Sequence, residues 1–125
     1  MLAAGDDGQT MQYKRSERVA DLLQRTVAEI LLRRVRDPRL SKLTVTGVDV
    51  SADLRYAKIY YCFVGSEEER PQVSQALEKA RPFIRREIGR RVELRYVPDI
   101  QFFFDTSFDY GEKIERLLHR IHEES

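Results

Sequence analysis

The side chains best placed to do chemistry are guanidinium groups. Arg81, Arg85, Arg86, Arg90 and Arg91 fall within eleven positions, with Gly89 among them. If the segment is helical, successive residues turn by about 100 degrees, which puts Arg85, Arg86, Gly89 and Arg90 opposite Phe83, Ile84 and Ile88. Arg81 with Arg85 and Arg86 with Arg90 then set like charges on neighbouring turns, at a cost of about 0.2 to 0.5 kcal/mol per pair. A face that only meets water gains by alternating signs, so the pattern points to an external polyanion. Arginine suits RNA because its planar fork can bond two phosphate oxygens and stack on an exposed base. Lys14, Arg15 and Arg18 form a second basic group that extends the same footprint. The bland alternative is crowded surface arginine, and Glu87, placed to pair with Arg91, takes some of the charge.

Other arginines read differently. Asp21 with Arg25 and Glu29 with Arg33 have the acid-before-base spacing that satisfies charge along one helix. The opposite end is acidic: Asp99, Asp105, Asp109, Glu112, Glu115, Glu123 and Glu124 outweigh Lys113, Arg116 and Arg120. That polarity would orient the domain on RNA and offer a surface to a basic protein.

Enzyme chemistry has no visible residues. The two histidines, His119 and His122, share one expected helix with Glu115, too few ligands for a metal site and better read as helix-end cations. Cys62 lies in the apolar run from Ile59 to Val64 and reads as a small buried hydrophobe. No phosphate loop or nucleophile elbow occurs. Gly5-Asp6-Asp7-Gly8 has a Gly-x-x-Gly spacing that can bring backbone amides to a nucleic-acid backbone, but its acidic centre would repel phosphate. We expect no cofactor and no metal.

These residues need a scaffold. The 125 residues suit one domain, and 34% charged with 42% hydrophobic residues argues for a cytosolic surface around one core. The net charge of +1 makes charge distribution the informative quantity. No segment approaches a membrane span, Met1 to Thr10 is not a signal peptide, and the expected location is the cytoplasm.

Residues 1–12 lack apolar periodicity and are expected as a disordered tail, 13–122 as the domain and 123–125 as its end. Val19, Leu22, Leu23, Val27, Ile30 and Leu31 predict a helix from about Ser16 to Val35, ended by Asp37-Pro38. Leu43 to Val50 and Arg55 to Val64 predict strands joined by a short connection at 51–54. Ser66 and Glu69 have capping-box spacing and predict the start of a second helix. Its apolar period, Val73, Ala76, Leu77 and Ala80, resumes after Pro82, so helix, kink, helix is expected. Val92 to Phe104 reads as a third strand with Pro98-Asp99 at an edge or bulge. Phe102 and Phe104 should face the core and Phe103 away from it. Ser107 or Asp109 can cap a last helix through Ile114, Leu117, Leu118 and Ile121. The order implies an α+β domain with helices on one face of a three-stranded sheet.

Four stretches stand in a telling order: Asp37 to Leu40, Leu54 to Tyr60, Ala80 to Arg85 and Val97 to Asp105. Together they resemble the ribosome-binding factor A family over about Met11 to Ile121. The resemblance implies a type II KH-like domain with a kinked helix in place of the Gly-x-x-Gly loop. The family kink is Ala-x-Gly, whereas Ala80-Arg81 is followed here by Pro82. It further implies a non-enzymatic, monomeric assembly factor that binds 16S rRNA in the precursor 30S subunit. Late maturation, 16S rRNA processing and cold adaptation belong to the same implication. A KH-shaped module that binds ribosomal proteins or an assembly GTPase is the alternative.

Overall fold

A computed structural model describes residues 3–107, with side chains described from Lys14 onward. The chain forms α1 (Ala3–Arg33), a 3-10 turn at Pro38–Leu40, β1 (Leu43–Val50), β2 (Tyr56–Phe63), a second 3-10 turn at Glu67–Glu69, α2 (Arg70–Arg91) and β3 (Asp99–Phe104). The expected last helix, with His119, His122 and most of the acidic end, lies outside the described residues.

The sheet order is β1-β2-β3, with β1 antiparallel and β3 parallel to β2. A parallel neighbour needs a crossover, and α2 supplies it. Both helices cover one face of the sheet. Leu23, Val27, Ile30, Leu77, Ile84 and Ile88 are buried there in one cluster with Ile59, Tyr61 and Ile100. The α+β layout expected from the element order is therefore the observed one.

The register explains an irregularity in the apolar pattern. Val45 and Val48 are three apart, which strict alternation would send to opposite faces. A bulge between Val45 and Gly47 leaves Thr46 without a ladder partner, so Val45 pairs with Tyr61 and Val48 with Ile59. Both valines then face the helices.

Several boundaries and one face assignment differ from expectation. The backbone is helical from Ala3, so the start expected near Ser16 is corrected, and Gly5 to Gly8 lies in helical backbone rather than in a loop. Apolar periodicity reports burial, whereas a helix nucleated by packing can propagate beyond its apolar stripe. Leu22, assigned to the apolar face, is 38% exposed. The Ser66 side chain makes no capping bond; a 3-10 turn intervenes, and α2 begins at Arg70 with Pro71 in its first turn. Proline is favoured there because its missing N–H is one the helix would leave unbonded anyway. Finally, Val92 to Val97 is not strand: Val92 caps α2, donating its N–H to the Ile88 carbonyl at 2.9 Å, and β3 starts only at Asp99.

Ala80 and Pro82, the expected kink, lie inside one unbroken helical run. Pro82 has no N–H for the Glu78 carbonyl, so the expected loss of a helical bond is confined to that one position. Phe102 and Phe104 are half-buried against the core while Phe103 is exposed on the other face, as alternation required.

Asp37 closes the end of α1. Its carboxylate accepts the Arg39 backbone N–H at 3.0 Å and the Arg39 guanidinium at 2.7 Å. These bonds hold its pKa down at about 2, against an ordinary 3.8. The folded value is depressed, so the contribution is complete above pH 3.8 and is lost as pH falls through about 2. A carbon-detected NMR titration should find the Asp37 midpoint near 2; a midpoint at 3.8 would show that Arg39 does not grip it. In the core, Ile84→Ala should lower unfolding free energy by about 2 to 5 kcal/mol in urea, since Ile84 is fully buried.

Candidate nucleic-acid interface

Ile84 and Ile88 turn α2 toward the core, and the intervening Glu87 is carried with them. It is only 4% exposed. A carboxylate in that position needs partners, and three guanidiniums converge on it. Arg34, just past the end of α1, reaches Glu87 Oε1 at 3.3 Å, Arg91 reaches the same oxygen at 3.5 Å, and Arg90 reaches Oε2 at 3.5 Å. Arg91 also meets Glu29 of α1 at 3.7 Å. The two helices are thus linked by charge at the edge of the core.

This arrangement sorts the arginines that the spacing grouped together. Arg91 faces α1 and is partly covered. Arg81 pairs with Glu78 one turn earlier at 3.3 Å. Arg85 donates to the Val97 carbonyl at 3.1 Å and the Pro98 carbonyl at 3.2 Å, which fastens the loop before β3 to the helix. Gly89 serves the same packing: a Cβ there would stand 3.1 Å from a Val97 methyl. The Arg86 side chain is exposed and makes no ion pair or hydrogen bond among the described residues. Arg90 shares its one long contact with two other cations, and 75% of its side chain is exposed.

Lys14, Arg15 and Arg18 are exposed on α1 without ion pairs among the described residues. Arg18 precedes Glu29, where α1 meets Arg91, by eleven positions, or about 16 Å of helix. The structure therefore does not bring the second basic group onto the Arg86 and Arg90 patch. The local pairs expected within α1 are corrected as well. Glu29 goes to Arg91 rather than Arg33, and Asp21 and Arg25 form no ion pair among the described residues. Helical spacing permits such contacts, but a neighbouring helix can outbid a flexible partner on the same one.

Sequence reasoning missed three participants. Arg34 joins Glu87 across 53 positions, a pairing that no local pattern signals. Arg95 lies over the Tyr96 ring at 5.5 Å, and both are exposed in the loop that Arg85 fastens. Their adjacency after the arginine run was the available clue. No group of three or more His, Cys, Asp or Glu among the described residues could hold a metal ion. Cys62 is 2% exposed, and burial, with Asp105 nearby, pushes its thiol pKa up. No helix among the described residues is long and apolar enough to cross a membrane.

Residues 15–118 match the family model described as ribosome-binding factor A. A relative of that description from Syntrophus aciditrophicus is 53% identical over 113 residues, covering 90% of this chain and 92% of that one. The crystal structure of ribosome-binding factor A from Thermus thermophilus is similar at 29% identity and TM-score 0.63, over 71% of this chain and 93% of that one. A homology structure of the Thermus factor fitted into a cryo-EM map of a 30S complex is similar at 29% identity and TM-score 0.59, with the same coverage.

Glu87→Ala should strip three guanidiniums of their shared partner and loosen α1 from α2. We expect a loss of about 1 to 3 kcal/mol in urea unfolding, below the cost for a fully buried pair because the arginines remain hydrated. An unchanged midpoint would mean that the carboxylate contributes nothing to the joint.

Proposed function

Because the chain belongs to the ribosome-binding factor A family and has its KH-like fold, we propose that it binds the immature 30S subunit through 16S rRNA. It acts there as a non-enzymatic, monomeric assembly factor in the cytoplasm. Binding favours one conformation of the rRNA until late maturation and 16S processing proceed, a step that matters most in the cold. The Thermus factor's fit in a 30S complex supports the partner.

The carrying observation is Arg86 with Arg90. One has no internal partner among the described residues, and the other has only a third share in Glu87. Phosphate would supply what the fold does not. Arg95 and Tyr96, a cation beside an exposed ring, add a place for an unstacked base. Arg81, Arg85, Gly89 and Arg91 form the frame that presents these groups, and Ala80 with Pro82 sets the preceding turn. Lys14, Arg15 and Arg18 give a separate outer contact.

Co-sedimentation with 30S subunits at rising salt tests this reading. Wild type should show a log-log slope of about −3 to −5, and R86E/R90E should bind more weakly with a slope shallower by about two. A flat wild-type slope would favour the alternative, a protein-binding module for ribosomal proteins or an assembly GTPase. Equal binding by wild type and variant would remove Arg86 and Arg90 from the interface.

A further inference from the structure

We propose that Arg34 and Arg90 grip one RNA phosphate together across the joint between α1 and α2, with Glu87 as the positioning residue for both. The inference rests on the RNA-binding reading above and adds to it a contact from the end of the first helix.

Charge at the joint is out of balance. Arg34, Arg90 and Arg91 meet only Glu87 and Glu29 there, so three guanidiniums face two carboxylates. The excess is not shared equally. Arg91 is divided between both carboxylates, and its side chain is 31% exposed. The side chains of Arg34 and Arg90 are 53% and 75% exposed. They approach different oxygens of the same carboxyl group, Arg34 through Nε to Oε1 and Arg90 through Nη1 to Oε2. Neither side chain has another ion pair or hydrogen bond among the described residues. The two guanidiniums thus flank one group from two elements, each with part of its fork open to solvent. The Glu87 side chain beneath them is only 6% exposed, so an anion arriving from solvent meets the arginines first.

The fold holds this pair in place. The Arg34 N–H donates to the Ile30 carbonyl at 2.8 Å, which keeps its backbone on the last turn of α1. Ile84 and Ile88, both fully buried, fix the turn of α2 that carries Glu87. Arginines already steered by a buried carboxylate lose less rotamer freedom on binding than free ones. Arginine can serve two anions at once because its planar fork carries five N–H donors, whereas lysine offers a single compact charge. A phosphate presents oxygens in several directions, so two forks can share it. Arg86, one turn before Arg90 on α2, then meets a neighbouring phosphate of the same strand.

Co-sedimentation of the full chain with 30S subunits at rising salt tests the clamp. The control is R25Q, which removes one positive charge from α1 on the side of β1. R34Q should bind about ten-fold more weakly than wild type, and R25Q should stay within about two-fold of it. R34K keeps the charge but not the fork; it guards against a folding defect and should fall about three-fold. Because both arginines serve one phosphate, R34Q/R90Q should bind about as weakly as either single variant, with a log-log slope shallower by about one. E87Q should bind about three-fold more weakly, although its added net positive charge alone would tighten binding, and R34Q in that background should cost less than about two-fold more. The proposal is overturned, with the RNA reading left standing, by equal binding of R34Q and R25Q, by R34K binding like wild type, or by tighter binding of E87Q. A double variant whose loss is the product of the single losses, with a slope shallower by about two, would overturn it in the same way. A flat wild-type slope would overturn both.

Discussion

A carboxylate carried into the edge of an apolar core must be met by positive charge, and Glu87 imposes that condition on both helices. It follows Arg85 and Arg86 in the turn between Ile84 and Ile88, and helix geometry does not allow the isoleucines to be buried without bringing it along. Desolvating the carboxylate alone would cost several kcal/mol. Arg34 at the end of α1 and Arg90 and Arg91 from the last turn of α2 answer it. The crossing of the helices is therefore constrained by charge as well as by the shared core cluster to which Val27, Ile30, Leu77 and Ile84 belong.

What this joint uses determines what remains for a partner. Three cations around one carboxylate leave a local excess of positive charge, held near a helix C-terminus. That end of the helix dipole favours cations and helps to keep the arginines clustered there. Arg81 and Arg85 are spent on Glu78 and on the loop carbonyls of Val97 and Pro98, which gives the surface its shape. Within the α2 cluster, the least committed charge sits on Arg86 and Arg90. A surface built this way is rigid beneath, so the proposed binding to a polyanion would carry a small ordering cost.

Local pattern was sufficient wherever local physics decides. The bounds of β1, the single core, the alternation of Phe102 to Phe104 and the burial of Cys62 follow from period and residue type. It was insufficient where distant segments compete. Val92 and Leu94 alternate like a strand, yet Arg85 and Val97 draw that segment back onto α2 and delay β3 to Asp99. Glu29 chose Arg91 over Arg33 because a second helix supplied a fixed partner. Of the candidate binding residues, spacing found the arginine cluster but could not divide it into frame and free members, since that division rests largely on distant partners: the Val97 and Pro98 carbonyls for Arg85 and Glu29 for Arg91.

The stretches that carried the family resemblance have mainly structural work in this chain. Asp37 to Leu40 makes the clip that ends α1 and buries Leu40. Leu54 to Tyr60 supplies the turn residue with positive φ and the core positions Ala57 and Ile59 of the central strand. Val97 to Asp105 accepts the Arg85 anchor, forms β3 and ends on the bond from Thr46, the residue that the bulge frees from the ladder. A motif so distributed identifies the fold before it identifies the site. Within the α2 cluster, the proposed contacts Arg86 and Arg90 are the members that the fold holds least.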